Sequence, residues 1–298
     1  MLKFLKQWNR SRKWRRRIGK LKQRKERMLS FGSHAFALLV EGKHGKFAVD
    51  PEDDFVSKRL LQTGSYSDGE LDLARRFVPE NGNVLMVGTH IGALAIPLSK
   101  HCGHMVAVEA NPNTFKLLQL NLLLNQCDNV LAFNLAAAEK SCSISFILSR
   151  DNSGGSKRLP RVNVESYTYD NPQVVEVPAD ALDVVVENKA FDLIFMDIEG
   201  SEYFALKGMP RLLESSRVLV IEFLPHHLKN VAGVSADDFI SLILPNFEWM
   251  FIPMSGELVA HGDIRRRINE IYTANESHDA LVYMKSPLPE WLQDGAVR

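Results

Sequence analysis

The sequence of 298 residues has few cysteines, no long apolar run and no net charge. Its three cysteines, Cys102, Cys127 and Cys142, form no paired motif, which predicts a reducing compartment and excludes a disulfide framework. No run approaches the roughly 20 apolar residues of a membrane span. No apolar stretch follows the basic N-terminal residues, as one would in a secretory signal. We therefore expect a cytoplasmic protein, built as one α/β domain with additions.

The sequence also lacks the G-x-G-x-x-G turn of a dinucleotide-binding fold. Instead, four apolar residues run into a turn bounded by Gly88 and Gly92. This pattern predicts a buried parallel strand that stops sharply and lets the backbone approach a ligand. A second apolar strand ends in Glu109, at the spacing from Gly88 that lets a carboxylate reach the ribose of an adenine nucleoside. S-adenosylmethionine, which has no pyrophosphate, is therefore favoured over NAD. A glycine-ended core strand without a ligand is the alternative.

Positive charge is concentrated at the N-terminus. Residues 1–30 hold 13 lysines and arginines against a single acid, Glu26. Apolar and aromatic residues recur among the cations with partial helical spacing, so this basic arm is predicted to lie on an anionic membrane surface or to be a solvated tail. Contact with nucleic acid phosphates is the least favoured interpretation.

The rest of the chain divides into a lead-in segment, 31–80, and a cofactor-binding domain, 81–298. The lead-in segment predicts a hairpin, with apolar runs at 36–40 and 46–49, and a helix at 68–77. Short apolar strands then alternate with amphipathic helices, which predicts a mostly parallel, doubly wound sheet. The predicted strands are 83–88, 105–109, 129–134, 142–148, 191–197, 217–223, 247–252 and 280–285, with 142–148 as an exposed strand and 280–285 as an antiparallel edge. The predicted helices are 112–125, 201–214 and 236–244. Residues 151–156 are expected to form a mobile loop, either a substrate lid or a plain connector.

The most concentrated set of chemical groups follows the strand at 191–197. Asp197 and Glu199 alternate at its carboxyl end, so both should face the same crevice as Gly88 and Glu109. Clustered carboxylates can hold a proton, orient a hydroxyl or bind a hard cation. Glu202 is instead placed to favour the positive N-terminus of the next helix.

Other polar residues follow neighbouring strands. Glu222 ends the strand at 217–223, and His226 and His227 come directly after it. A histidine there can act as a base, but adjacent histidines are a poor metal signature, so a surface or capping role is favoured and no metal ligand is predicted. Asn134 ends the strand at 129–134, where its amide can bind the adenine or a strand-end backbone group.

These motifs together resemble the FkbM-type methyltransferases. The resemblance covers about residues 64–224, and its most specific part is the D-[IV]-E-G-x-E element that begins at Asp197. Gly64-x-Tyr66 with Glu70 also looks like the lead-in of that family. The resemblance implies a class I, Rossmann-like methyltransferase fold, S-adenosylmethionine as cofactor, and O-methylation of a hydroxyl on a sugar, polyketide or related small molecule.

The hypothesis assigns a role to each candidate residue. The turn at Gly88, His90 and Gly92 holds the methionine portion of the cofactor, and Glu109 binds the ribose hydroxyls. Asn134 lies near the adenine. Asp197 borders the cofactor and, with Glu199, orients or deprotonates the acceptor hydroxyl.

The sequence departs from the family in the first strand, which normally reads V-L-D-V-G-A-N-I-G. Here Met86 replaces the aspartate and His90 the asparagine. Methionine cannot accept a hydrogen bond from the ammonium group of the cofactor, a loss of about 1.5–3 kcal/mol. Either another acid compensates, or cofactor binding is weak, or the chain is a non-catalytic relative docked to a membrane by its basic arm.

Overall fold

The computed structural model describes residues 34–187 and 190–285, together with 19, 22, 26 and 30–32. Most of the basic arm at 1–30 lies outside the described residues, and so do its predicted contacts with a membrane surface or with nucleic acid. Among the helices that are described, none is long and apolar enough to cross a membrane.

The described strands and helices largely alternate along the chain. The strands are β1 (Leu38–Gly42), β2 (Gly45–Val49), β3 (Asn83–Val87), β4 (His104–Val108), β5 (Val130–Phe133), β6 (Ala136–Ala137), β7 (Cys142–Leu148), β8 (Lys157–Arg158), β9 (Gln173–Asp180), β10 (Leu193–Met196), β11 (Val218–Phe223), β12 (Trp249–Ile252), β13 (Glu257–Ala260) and β14 (His278–Met284). The helices are α1 (Val56–Thr63), α2 (Asp68–Phe77), α3 (Ala95–Ser99), α4 (Pro112–Leu124), α5 (Glu165–Thr168), α6 (Leu182–Val185), α7 (Glu202–Lys207), α8 (Pro210–Ser215), α9 (Pro225–His227), α10 (Ala236–Ser241) and α11 (His261–Ala274).

Eight strands form the central sheet, in the order β13-β12-β14-β11-β10-β3-β4-β5. The neighbours from β11 to β5 all pair in parallel. Strand order reverses between β3 and β10, so their carboxyl ends flank the switch point at which ligands bind in open α/β sheets. The mostly parallel sheet predicted from the sequence is therefore confirmed.

The antiparallel strand occupies a different place from the one expected. The strand predicted at 280–285 as the edge is β14, which is antiparallel but lies inside the sheet, between β11 and β12. The hairpin of β12 and β13 extends the sheet beyond it, and β13 forms the edge. All four final residues of β14 are buried, as expected of a central strand.

Apolar side chains cover both faces of the central sheet. One face packs against α7, α8, α10 and α11 through a cluster that includes Ile194, Leu219 and Ile268. The other face packs against α2 and α3 through Leu71, Phe195 and Val220. Because β3, β4, β10 and β11 are buried on both sides, their sequences are almost continuously apolar, which is why the pattern identified these strands.

The lead-in segment packs onto the sheet domain. The hairpin of β1 and β2 is held by Asn121 of α4, whose amide donates to the carbonyls of Ala48 (3.0 Å) and Ile91 (2.8 Å). Phe47 and Leu60 share a buried cluster with Ile91. The described part of 31–80 thus contributes to the wall beside the β3 turn.

A second, smaller sheet lies beside the central one, in the order β6-β9-β7-β8. Strand β7 is the strand predicted at 142–148, but it is not the exposed strand that was expected, because Ile144, Phe146 and Leu148 are buried on its inner face. This sheet places β8, and with it Lys157, next to the carboxyl edge of the central sheet.

One local prediction was wrong. The helix expected at 201–214 is two helices, α7 and α8, which break at Gly208, where a side chain would overlap the carbonyl oxygen of Ala138, and before Pro210. The segment expected as a loop at 151–156 is largely buried. Asp151 is fully buried, and the backbone N–H groups of Arg150 and Asp151 donate to Asp170 at 2.6 and 3.1 Å.

Candidate functional site

The carboxyl ends of β3, β4, β10 and β11 open into a cavity of about 300 Å³. The lead-in segment and the residues at 152–156 close its sides. The residues used below that line it are Tyr66, Glu70, Met86, Gly88, His90, Glu109, Phe146, Ser153, Asp197, Glu199, Glu222 and Asp279. Five predicted site residues therefore meet at one cavity: Gly88, His90, Glu109, Asp197 and Glu199.

The turn after β3 requires glycine at position 88. Gly88 has a positive φ of 89°, and its N–H donates to the carbonyl of Val108 at 2.9 Å. A Cβ here would overlap the backbone carbonyl oxygen of Asp197. The turn therefore brings the ends of β3, β4 and β10 into direct contact.

Gly92 has a different role. Its φ is also positive, 87°, but a Cβ there would lie 2.9 Å from Leu118 and 3.1 Å from Ile96. It faces the packing of α3 and α4 and does not line the cavity. Its absent side chain lets the turn sit close against helix α4.

Glu109 organises the cavity wall at the end of β4. Its carboxylate accepts from the backbone N–H groups of His90 and Asn111, both at 2.7 Å, and from the Thr114 hydroxyl at 2.9 Å. The residue is 8% exposed and reaches the cavity. A carboxylate has about four acceptor sites, so one remains for a ligand hydroxyl.

His90 joins this wall to the 151–156 segment. It lies in the left-handed region, with a φ of 54°, and its Nε2 is 2.7 Å from the Ser153 hydroxyl. The backbone N–H of Ser153 donates to Asp53 at 3.4 Å. Burial lowers the pKa of His90, so its ring is neutral at physiological pH.

Asn134 binds a strand-end backbone group. Its amide nitrogen donates to the carbonyl of Glu109 at 2.8 Å and reaches that of Ala110 at 3.4 Å. It does not line the cavity. Asn134 thus fixes the chain just after β4.

Asp197 projects into the cavity beyond the end of β10. Burial raises its pKa well above the ordinary value, and the neighbouring carboxylates of Glu199, Glu202, Glu70 and Asp279 raise it further. The side chain is therefore open to the cavity but surrounded by protein that carries negative charge. A cation bound beside this group would favour its ionised form.

The other carboxyl groups of the site share this environment. The pKa of Glu222 is raised well above its ordinary value, first by burial and then by Asp197, Glu199 and Glu202. Burial likewise raises the pKa of Glu70. The pKa of the Tyr66 phenol is raised to about 12 by burial, with Glu70 and Asp197 as the next contributions.

Glu202 binds the turn before α7, as its position predicted. Its Oε1 accepts from the backbone N–H groups of Ile198 (3.0 Å) and Gly200 (3.2 Å). Burial raises its pKa to about 7 despite these two hydrogen bonds.

Glu199 forms the one ion pair of the cavity wall within the described part of the chain. Its Oε2 lies 2.8 Å from Nζ of Lys157, and the same ammonium is 3.0 Å from Nε2 of His227. Burial lowers the pKa of His227 to about 2, and the charge of Lys157 contributes to this. Sequence patterns did not point to Lys157, because it is isolated in a polar stretch and lies 42 positions from Glu199.

One group of potential metal ligands occurs among the described residues. Ligand atoms of Glu199, Glu222 and His227 lie within 4.8 Å of one another. The Lys157 ammonium contacts two of the three, so a positive charge already lies in this group.

A family model for the methyltransferase FkbM domain matches residues 87–270. No curated protein matches the chain. Among solved structures, the chain is similar to an FkbM methyltransferase from Methylobacillus flagellatus KT, at 18% identity and a TM-score of 0.42, over 68% of this chain and 43% of that one. It is also similar to TYW2 of M. jannaschii, solved in complex with AdoMet, at 16% identity and a TM-score of 0.36, over 64% of each chain. The chain thus spans less than two thirds of either structure.

The family match covers more than half of the chain and includes the Gly88 turn, Glu109 and the Asp197 element. The predicted class I fold, with its mostly parallel, doubly wound sheet, agrees with the observed topology, except that the antiparallel strand β14 lies inside the sheet rather than at its edge. The structural similarities are too distant to identify an acceptor. The chain belongs to the FkbM family of S-adenosylmethionine-dependent methyltransferases.

Proposed function

We propose that this chain transfers the methyl group of S-adenosylmethionine to a hydroxyl group of a small molecule, such as a sugar or a polyketide. The observation that carries the proposal is the unbalanced charge of the cavity. Glu70, Asp197, Glu222 and Asp279 line it, and none of them forms an ion pair with a described lysine, arginine or histidine. Carboxylates that line one cavity without counter-ions repel one another, so the cavity favours a cationic ligand.

S-adenosylmethionine matches this requirement because it carries a sulfonium and an ammonium group. Met86 cannot accept from the ammonium, but Glu70, Asp197 and Asp279 border the same cavity and supply the acceptors that Met86 lacks. Glu109 is the acceptor for the ribose hydroxyls, and the Gly88 turn gives the backbone close access to the ligand. This argument favours compensation by other acids over the loss of cofactor binding.

The two rival hypotheses, NAD binding and a non-catalytic relative, fit the negative charge of the cavity less well. NAD would bring two phosphate charges into a cavity that already contains unpaired carboxylates, and the glycine-rich phosphate turn is absent. A non-catalytic relative gives no account of this cluster of unpaired acids, because like charges that lie close together raise the free energy of the folded state.

The bound cofactor supplies an electrophilic methyl group on its sulfonium, and the chain supplies position and a proton acceptor. In-line displacement depends mainly on holding the nucleophile at the correct distance and angle. Asp197 and Glu199 border the acceptor side of the cavity, where they orient the hydroxyl group. Asp197 accepts its proton once a neighbouring cation has favoured the ionised carboxylate.

Thermal unfolding with S-adenosylmethionine, S-adenosylhomocysteine and NADH tests the cofactor. Ligand at about a hundred times its dissociation constant stabilises a protein by about 2.7 kcal/mol. We expect both adenosyl ligands to raise the midpoint, the sulfonium form more strongly because of its extra charge, and NADH to leave it unchanged. No shift with either adenosyl ligand at millimolar concentration would contradict the proposal.

Asp197→Asn tests the acceptor side, with Asp72→Asn on the exposed face of α2 as a control of the same chemistry. We expect Asp197→Asn to lower turnover about 100-fold, as for the loss of a general base, and to retain binding of S-adenosylhomocysteine. The assay is transfer of labelled methyl groups to a panel of hydroxyl compounds. Unchanged turnover would remove Asp197 from the mechanism, and methylation of nitrogen or carbon acceptors alone would overturn O-methylation.

A further inference from the structure

A lysine is buried beside the acceptor side of the cavity. The Lys157 side chain is 6% exposed, and its ammonium contacts Glu199 Oε2 and His227 Nε2 at 2.8 and 3.0 Å. It also lies 4.9 Å from the centre of the Tyr167 ring. Burying an ammonium is costly, so these three contacts must offset the loss of its hydration.

The groups around Lys157 form the donor set of a divalent metal site. Glu199, Glu222 and His227 offer two carboxylates and an imidazole within 4.8 Å of one another, a combination that transition metals bind readily. His227 is 4% exposed. Its Nδ1 is buried without a hydrogen-bond partner among the described residues and lies 3.4 Å from Glu199 Oε2.

Lys157 excludes a metal ion from this set in two ways. Its positive charge repels a second cation from Glu199. An ammonium only donates hydrogen bonds, so Nε2 of His227 must accept, and the proton of the neutral ring then lies on Nδ1. The nitrogen nearest to Glu199 is thereby blocked as a ligand.

Glu199 needs to be held in place. Its backbone lies in the left-handed region, with a φ of 57°, a conformation that is strained for a residue other than glycine. Such strain persists only where other contacts fix the residue. The ion pair with Lys157 is a buried contact that fixes the carboxylate at the cavity wall.

We propose that Lys157 is a positioning residue that acts as a built-in cation: it holds Glu199 beside the acceptor and occupies the place at which Glu199, Glu222 and His227 would otherwise bind a divalent metal ion. Methyl transfer by this chain would therefore use no metal ion held by these three residues. The role in turnover rests on the proposed function, whereas the exclusion of metal does not.

The test is Mn²⁺ binding, measured by electron paramagnetic resonance on the full chain. We expect no detectable Mn²⁺ binding by the wild type or by Lys157→Arg, which retains the charge. Lys157→Ala should bind Mn²⁺ with an affinity at least about tenfold above the upper limit set for the wild type. The double variant Lys157→Ala/Glu199→Gln should lose the new site. Lys157→Gln replaces Lys157→Ala if the smaller side chain impairs folding, which the thermal shift with S-adenosylhomocysteine reports.

Two results would overturn the proposal. One is Mn²⁺ binding by the wild type that matches Lys157→Ala and is lost in Glu199→Gln. The other is a folded Lys157→Ala or Lys157→Gln protein that binds Mn²⁺ no better than the wild type.

If methyl transfer is detected, Lys157→Ala should lower kcat with little change in KM for S-adenosylmethionine, and Mn²⁺ should restore part of the lost kcat. A purely structural lysine would show no such rescue. Absence of methyl transfer by the wild type would contradict the proposed function alone.

Discussion

Glu202 gives the folded state a pH-dependent cost that a single isosteric substitution should remove. Its carboxylate accepts from the N–H groups of Ile198 and Gly200, yet burial raises its pKa from 4.5 to about 7. The native state therefore binds more protons than the unfolded chain between these values. Stability falls with pH wherever the native state binds more protons than the unfolded chain. The stability that protonated Glu202 gives the folded state is therefore fully present below about pH 4.5 and is lost as pH rises through 7.

The size of the effect follows from the two pKa values. At 1.36 kcal/mol per pKa unit, ionised Glu202 costs the folded state about 3 kcal/mol at pH 8 relative to pH 4. Glu202→Gln keeps an amide oxygen as acceptor for both N–H groups and cannot ionise. We expect the variant to unfold at higher urea concentration than the wild type at pH 8, by about 2–3 kcal/mol, and to differ little at pH 5.

The assay is urea unfolding from pH 5 to pH 8 without cofactor. Glu80→Gln is the matched control, because Glu80 is exposed and should give the wild-type pH dependence. A Glu202→Gln protein whose stability falls with pH as steeply as that of the wild type would refute the reasoning. So would a variant that is less stable at pH 8, because the amide would then be a poorer partner than the carboxylate for the turn.

Two further substitutions test the ends of β3 and β4. Gly88→Ala should destabilise the fold by about 3 kcal/mol or more and abolish cofactor binding, because of the positive φ and the overlap with Asp197. The control Gly69→Ala, in an open position on α2, should be neutral or slightly stabilising in the same unfolding assay. Equal stability of the two variants would refute the close approach of Gly88 to Asp197. Glu109→Ala should lose binding of S-adenosylhomocysteine, measured by calorimetry. The control Thr114→Val removes one hydrogen bond to the Glu109 carboxylate and should still bind S-adenosylhomocysteine. Unchanged affinity of the alanine variant would exclude Glu109 from the ribose role.

The sequence predicted the parallel strands well because burial on both faces makes them continuously apolar. The strands expected at 83–88 and 105–109 are found at Asn83–Val87 and His104–Val108. Helix α4 begins where Asn111 and Pro112 predicted, and the Asn111 side chain accepts from the N–H of Asn113 at 2.9 Å. Local signals were sufficient in these elements.

The second sheet was missed because its pairing is not local and its strands are only half buried. Strand β9 pairs with β7 about 30 positions away, and its sequence alternates weakly, with exposed Gln173 and Val174 and an internal Pro178. Helix α11 also escaped prediction, although Ile264, Ile268 and Ile271 recur at helical spacing. That signal was present in the sequence, whereas the signal for β9 was not.

The rule that ligands lie beyond the carboxyl ends of parallel strands brought Gly88, Glu109, Asp197 and Glu199 to one cavity. The rule works from chain order alone and does not specify where a side chain points. It therefore did not distinguish Gly92, which packs against α4, from Gly88. It also did not find Lys157, which comes from the second sheet and reaches Glu199 only in the folded chain.

The placement of Lys157 explains why the cavity is suited to a cation. Its single positive charge is taken by Glu199 on the acceptor side, with His227 fixed in its neutral form. The carboxyl groups nearer the β3 turn, Asp197 and Glu70, have pKa values raised first by burial and then by neighbouring carboxylates, and no described cation pairs with them. A cationic cofactor bound there would lower both pKa values and release protons, so its affinity should rise with pH as the stability of the free protein falls. The same charges that destabilise the empty fold thus provide the binding energy of the cofactor.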